Sequence, residues 1–543
     1  MLRPLPLPAL LLACSNAYAP LVGLGQPTPF GEPAEGEAEE APAVELPAVR
    51  LNELQPANDS TYMTEDGGFP DWVELYNAAA VAVPRAALSL DDGSGARWEG
   101  GEGALAPGER LLLFADDAGG EDSLPFSLDA EGETLTLRFG DGVVDVATTD
   151  GLHRDAAWAR FPDGGDWAAT ATPTPGEANG EAPSATADPS ELLFDPLRVH
   201  PLALTVSPEQ WALLEADNYT YVEASLEFEA GAFTRVGLRK KSTVGSNRSL
   251  SQKAAFKVDL NLFEDHQLRG AETLTLNNMV QDPTYVAEHL AYTMFRASGV
   301  PAPRLTYARL SINGVDWGLY ALVENIDDAF LDRWYADGSG HLYEGAYGVD
   351  VQADEVPSFE CDECPEPEDR ADLYALAAAL TAPADDAGLA AVEALIDMDE
   401  LLANMAVETL ILHWDGYTTA NNYRLYHDPS TGRFQILPWG TDQTFISASY
   451  GPYQTYGLLL LYCLQNAGCK ARYEAALREA ADTMDGLALQ ATSDALRAAL
   501  AADIATDPRA EHSAETQQAY LDATRLTLET WPAAVRAAIP APP

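Results

Sequence analysis

Between Val49 and Ala147 short runs alternate apolar and polar: VRLNEL, DWVELYN, LSLDD, ERLLLFAD, ETLTLRF and VVDVA, separated by Gly, Pro, Asp and Asn. Period-two alternation predicts strands with one buried face, and several at this spacing predict a small β-sandwich. A Pro/Ala/Ser-rich linker at 180–192 interrupts the pattern, which resumes in HPLALTVS, VEASLEFEAGAFTRVGLRKKS and RLTYARLSINGVDWGLYALVEN. Asn313-Gly314 in the last of these predicts a tight hairpin turn. PEQWALLEAD reads as a helix, as does Asp282 to Ser298, which opens on Asp-Pro and stops at Gly299. Beyond Glu368 the pattern turns helical to the C-terminus, broken by His413 to Phe445. Strands first and helices later predict a multidomain chain: an N-terminal all-β sandwich, then an α+β domain with a sheet lobe and a helical lobe.

The interruption carries the first candidate chemistry. Asn422 to Tyr426 alternates like a strand, Asp428-Pro429-Ser430-Thr431-Gly432 is turn chemistry, and Phe434 to Leu437 is a second strand. An antiparallel hairpin returns the chain to the end it left, so Asp415, Asn421 and Asn422 would meet Asp442 at one rim. Acidic and amide oxygens there suit a hard cation such as magnesium or manganese, and through it phosphates. A plain surface hairpin flanked by solvated acids is the alternative.

Charge sharpens this picture. The 543 residues hold 31 Lys+Arg against 85 Asp+Glu, a formal net charge of −54, which disfavours binding to nucleic acid or to anionic lipid head groups. Yet four of the five lysines, Lys240, Lys241, Lys253 and Lys257, lie with Arg235, Arg239 and Arg248 in one window that has no Asp or Glu. Within it the loop STVGSNRSLSQ can turn N–H groups and hydroxyls toward phosphate oxygens. It matches neither GxxxxGKS nor GxGxxG. Pairing of these cations with acids elsewhere in the chain is the competing reading. A basic loop facing a carboxylate rim divides labour as phosphoryl transfer requires.

The N-terminus, MLRPLPLPALLLACSNAYAP, has an apolar run too short to span a bilayer. Leu11-Leu12-Ala13-Cys14 resembles a bacterial lipobox, which implies a signal peptide over 1–13, lipid on Cys14, and an acidic Pro-rich tether over 14–46. Ala17-Tyr18-Ala19 is the alternative cleavage pattern. Both readings place the mature chain outside the cytoplasm, and the first makes it a lipoprotein of the outer membrane or cell surface, touching membrane only through its anchor. Cys361, Cys364, Cys463 and Cys469 remain, an even number that permits two disulfides in three connectivities or a four-cysteine zinc site.

Two resemblances rest on longer motifs. LNELQPAN, DWVELYN, LAPGERLLLFAD and PTPGEAN, over about 47–179, resemble a lamin-tail domain, which implies an immunoglobulin-like sandwich with a binding or spacing role. In it Glu53, Asp71 and Glu74 read equally as buried structural acids or as ligands. The segments VGLRKKSTVGSNRSLSQKAAFKVDL, LTLNNMVQDPTYVAEHLAYTMFRASGVPAPR, INGVDWGLYALVENID and HWDGY…NNYRLY…PWGTDQTF occur in the order found in the CotH family of atypical protein kinases. That resemblance covers about 193–540 of a domain running to 543. It implies ATP with Mg or Mn, and transfer to Ser or Thr of a secreted or surface protein.

Under that resemblance Asp415 is the catalytic carboxylate, Asp442 and Asn422 or Asn421 are metal ligands, and Lys241, Lys253 and Lys257 face the phosphates. Glu324 would meet the adenine or fix a lysine, and Glu288 is a further candidate ion-pair partner. Structural salt bridges are the alternative for the lysines and Glu324. Ser242 replaces the usual Gly of the loop, and Gly440 replaces the first Asp of the family's PWDxD ending. If the missing acid is essential, the domain is a pseudokinase serving adhesion or assembly. A metal-dependent phosphate-ester hydrolase is a third class, without a His-rich or Asp-rich cage to support it. Oligomeric state is not encoded in any of these motifs.

Overall fold

The alternating runs of the N-terminal half form two facing sheets in the computed structural model, which describes residues 46–183, 188–228, 231–241, 245–364, 369–446 and 451–541. The signal-peptide segment, Cys14, the tether to residue 45, and Ser242 lie outside the described residues. One sheet has the strand order Asp166–Thr170, Ala157–Phe161, Val49–Gln55, Asp71–Asn77, Arg110–Ala115, Ser123–Leu124. The other runs Gly142–Thr148, Thr134–Phe139, Leu88–Asp91, Arg97–Glu99. Val49, Leu51, Val73 and Leu75 from the first meet Leu88, Leu90, Trp98 and Leu137 from the second in one core, as period-two burial requires.

The three acids singled out in this module are structural. Both Glu53 oxygens accept from Thr174, from its N–H (3.0 Å) and its hydroxyl (2.9 Å). Glu74 accepts from the Asn52 amide and the Gly176 N–H, each at 2.8 Å. Asp71 accepts the Asn58 N–H. The two glutamates thus staple the PTPGEAN segment back onto the sheet, and burial pushes both up to about 7. Asp155 joins this module to the next domain by accepting the N–H of Arg269 at 2.8 Å.

The sheet lobe is a closed barrel. Its order is Val199–Thr205, Val222–Phe228, Gly231–Lys241, Ala255–Asp259, Thr273–Asn277, Val315–Glu324, Leu305–Ile312, and the last strand pairs in parallel with the first. Closure leaves no free edge. Leu202, Leu226, Leu238, Phe256, Val258, Leu276 and Leu310 fill the interior. Because side chains alternate, Val236 and Leu238 point inward while Arg239 and Lys241 take the outer face. Asn313 (φ 51°) and Gly314 (φ 74°) make the expected hairpin turn.

The helical lobe carries helices including Ala371–Ala379, Met398–Ile411, Ala467–Gly486, Leu489–Ala505 and Ala514–Ala538. It also holds a four-stranded sheet ordered Glu360–Glu363, His341–Glu344, Tyr423–Asp428, Arg433–Pro438. Its last two strands are the predicted hairpin, with Tyr423 opposite Pro438 and Asp428 opposite Arg433. The helix expected from Asp282 begins later, at Ala287, because the Asp282 carboxylate caps it by accepting the N–H groups of Thr284, Tyr285 and Ala287. No described helix is long and apolar enough to cross a membrane. Cys361 is bonded to Cys364 and Cys463 to Cys469, which removes the four-cysteine zinc site from consideration.

Candidate active site

The carboxylate rim begins where helix Met398–Ile411 ends. Leu412 takes a left-handed conformation (φ 57°), the chain turns, and Glu408 holds the turn by accepting the N–H groups of Tyr417 and Thr418, both at 2.8 Å. The turn presents Asp415. Its Oδ1 accepts from the Asn421 amide at 3.0 Å, and its Oδ2 from the amides of Asn422 (3.0 Å) and Gln443 (3.3 Å). Asn421 and Asn422 also donate to the Asp415 carbonyl. With their nitrogens so occupied, the two asparagines can offer a cation only their carbonyl oxygens. Burial raises the Asp415 pKa, and the two asparagine amides oppose that rise.

Asp442 feels the charges of both Asp282 and Asp415, which raise its pKa. Opposite them the buried Glu288 emerges from helix Ala287–Ala297 and accepts from Asn277 at 2.9 Å. Burial foremost raises both carboxyls; the charge of Asp442 comes next for Glu288, and that of Asp282 next for Asp442. Lys241 on the barrel's outer face opposes that rise. It lies 5.1 Å from the Trp439 ring centroid and interacts with Glu288, Asp442 and Glu344, while burial lowers its own pKa.

A second cation group adjoins the first. Lys257 stands opposite Arg239 in the barrel register, and its pKa is lowered by burial and then by the charges of Arg424 and Arg239. Arg424, on the hairpin's outgoing strand, is only 6% exposed. Its Nη2 bonds Glu344 (2.7 Å) and Asp362 (3.0 Å), but Nε and Nη1 have no partner among the described residues. Buried N–H groups without acceptors are rare and costly, roughly 1–3 kcal/mol each. The guanidinium stands beside Lys257 and Lys241, whose pKa values its charge lowers.

The fold therefore brings Asp415, Asn421, Asn422, Asp442, Lys241 and Lys257 to one seam between the barrel and the helical lobe. Two of the proposed ligands are elsewhere. Lys253 is 2% exposed and paired with Asp507 at 2.5 Å, over the Tyr320 ring, so it anchors the C-terminal region and does not face the seam. Glu324 accepts from Arg304 at 2.6 Å and Arg333 at 2.5 Å. It fixes arginines rather than a lysine. Gly440 has φ 57°, and a Cβ there would come within 2.9 Å of the Asn422 amide carbon, so the glycine keeps Asn422 in place against Asp415.

The family model described as CotH kinase protein matches residues 243–532, more than half of the chain. The chain belongs to the CotH kinase protein family. Among curated relatives, the CotH domain is 28% identical over 249 residues to "Invasin CotH2" of Rhizopus delemar, covering 39% of this chain and 42% of that protein. It is 23% identical over 237 residues to "Inner spore coat protein H" of Bacillus subtilis, covering 40% of this chain and 65% of that one. The chain thus spans less than two thirds of either relative. A solved HipA complex from Shewanella oneidensis MR-1 aligns over 62% of this chain and 82% of its own, at 12% identity and a TM-score of 0.27, too low to bear on the argument. The family match leaves residues 47–179 uncovered.

The CotH motifs by themselves give no role to Arg424, Glu344, Asn277 or Glu408. Arg424 and Asn277 sit inside quoted motifs, NNYRLY and LTLNN, and were legible as polar residues on otherwise apolar strands. Glu344 and Glu408 have no local signal, since only the tertiary fold brings them to their partners.

Proposed function

We propose that this CotH-family chain is an exported, ATP-dependent atypical protein kinase that transfers a phosphoryl group to Ser or Thr of secreted or surface proteins. A lipid anchor at Cys14 would tether it, and the lamin-tail-like sandwich would act as a spacer or binding module. The relatives named as a spore coat protein and as invasins support a surface setting. The observation that carries the reading is the seam itself: a three-amide clamp on Asp415 beside the buried guanidinium of Arg424, two of whose donors have no partner among the described residues.

In this reading Arg424, Lys257 and Lys241 bind the phosphate oxygens, and Glu288 keeps Lys241 in place. Asp442 with the carbonyl oxygens of Asn422 and Asn421 forms an all-oxygen donor set, which fits Mg or Mn rather than a softer ion. When bound, such an ion neutralises phosphate charge. Asp415 cannot rotate away from its three amides, so it accepts or orients the proton of an incoming hydroxyl from a fixed position. Incubation of the purified protein with labelled ATP and Mg or Mn tests the reading. Label should appear on the protein or an added substrate, and Asp415→Asn should abolish it while metal–ATP binding persists.

A second reading has specific support. Gly440 stands where the family often has an acid, its site has no room for a side chain without moving Asn422, and several relatives are named invasins. A pseudokinase used for adhesion or assembly fits those facts. Calorimetry separates the two: a wild-type chain that binds no metal–ATP is the adhesion protein. In a kinase, Asp442→Asn should lose metal-dependent nucleotide binding and transfer together.

A further inference from the structure

The hairpin strand that lends Arg424 to the seam also carries His427, three positions on and therefore on the opposite face of the sheet. His427 is directly opposite His341 on the neighbouring strand. Over this pair lies Asp372, in the first turn of helix Ala371–Ala379. His341 Nδ1 is 2.8 Å from Asp372 Oδ2, and His427 Nδ1 is 3.2 Å from the same oxygen. Ligand atoms of the three residues all lie within 4.8 Å of one another, and no other His/Cys/Asp/Glu group among the described residues is so arranged.

The surroundings orient the carboxylate rather than merely accommodate it. Asp372 Oδ1 accepts the Tyr343 hydroxyl at 2.9 Å and the N–H of Leu373 at 2.8 Å, leaving Oδ2 to the imidazoles. His427 leans on Phe434, with ring centroids 4.7 Å apart, and His341 on Tyr343, at 5.5 Å. Side-chain exposures of 17% for His341, 10% for Asp372 and 27% for His427 leave a path from solvent.

We infer that His341, His427 and Asp372 form a second metal site, separate from the seam, which takes a zinc-class transition ion. Two imidazoles and a carboxylate are a nitrogen-rich set suited to zinc or cobalt and poorly suited to magnesium. Tetrahedral coordination at about 2.0–2.1 Å sets ligand atoms roughly 3.3 Å apart, so the two Asp372–His distances of 2.8 and 3.2 Å need open by only a few tenths of an ångström, with the two imidazole nitrogens already within 4.8 Å of each other. Tyr343 is the outer partner that holds the carboxylate. Three protein ligands leave a fourth position for water. The ion would clamp helix Ala371–Ala379 to the sheet whose other face supports Arg424 and Glu344. This inference does not depend on the kinase reading.

The test uses the full chain, stripped with EDTA, kept oxidised, and titrated with zinc chloride and cobalt chloride alone. Wild type should retain one equivalent of zinc through gel filtration. With cobalt it should show visible ligand-field bands without the near-ultraviolet charge transfer of thiolates. Either His341→Gln or His427→Gln should weaken zinc by at least about a hundredfold, and Tyr343→Phe by about tenfold, the usual range for an outer partner being 10–100-fold. Both histidines are partly exposed, so their variants should fold, which circular dichroism checks. Asp415→Asn should retain zinc. Failure of wild type to hold an equivalent overturns the site, as does unchanged zinc binding in both histidine variants or loss of zinc in Asp415→Asn.

Discussion

The sandwich and the seam both bury a pair of acids, and they treat them in opposite ways. In the sandwich, each oxygen of Glu53 and Glu74 has its own donor, drawn from Thr174, Asn52 and Gly176. In the seam, the buried Glu288 accepts from Asn277 through one oxygen only, while nearby Arg424 keeps two N–H groups with no acceptor among the described residues. Burial alone therefore does not mark a functional group. A fully buried acid with every oxygen met is a staple; Asp415 is equally well met but only half-buried, and it lies beside a guanidinium whose donors are not all met among the described residues.

The sharpest way to break this comparison is to neutralise one acid from each region. Asp415→Asn should reduce phosphoryl transfer by about 10²–10⁴-fold, the usual contribution of a positioned base. Glu53→Gln should leave transfer unchanged. If the two variants behave alike in a transfer assay, the contrast has no catalytic meaning.

Next in size is a contrast within the lysines. Lys253 is paired and enclosed, so Lys253→Ala strands Asp507 and should cost about 3–5 kcal/mol of stability, measured by denaturant unfolding. Nucleotide affinity of the folded fraction should not change. Lys257→Ala should do the reverse, whereas Arg424→Gln, which also strands Glu344 and Asp362, should lose stability and affinity together. Each removes a charge-assisted contact of roughly 1.5–3 kcal/mol, so ATP should bind about tenfold or more weakly by calorimetry.

The smallest effect concerns pH. Glu53 and Glu74 are raised to about 7 in the fold against an ordinary 4.5. Between those values the native state binds more protons than the unfolded state, so stability falls as pH rises from about 4.5 to about 7. Amide exchange in strands Val49–Gln55 and Asp71–Asn77 should accordingly be slower at pH 5 than at pH 8, after correction for intrinsic rates. Glu53→Gln with Glu74→Gln should flatten that dependence.

Much of the architecture was legible because it is local. Alternation located the sandwich strands, Asn313-Gly314 the barrel hairpin, and the Asp428–Gly432 turn the strands that set Asp415 near Asp442. Barrel closure was not legible, because it rests on a parallel pairing of Val199 with Tyr307, and no pattern in either strand records a partner so far away. The lysines failed for a related reason. Clustering in sequence put Lys253 and Lys257 together, yet Lys253 is claimed by Asp507, whereas Lys257 shares the outer face with Arg239. The burial of Glu288 was not legible, because an acid on a helix is ordinarily solvated and only tertiary packing buries this one.

The tie between Lys253 and Asp507 also bears on how the chain is made. Its two partners are 254 positions apart, and Asp507 additionally accepts the N–H of Leu319 from a barrel strand. At about 5–20 residues per second, some 10–50 s of synthesis separate the lysine from its carboxylate. During that interval the barrel has a cation in its wall with nothing to balance it, so the lobe cannot reach its final stability domain by domain from the N-terminus. Completion waits for the last helices, which makes this a high-contact-order, late-locking fold.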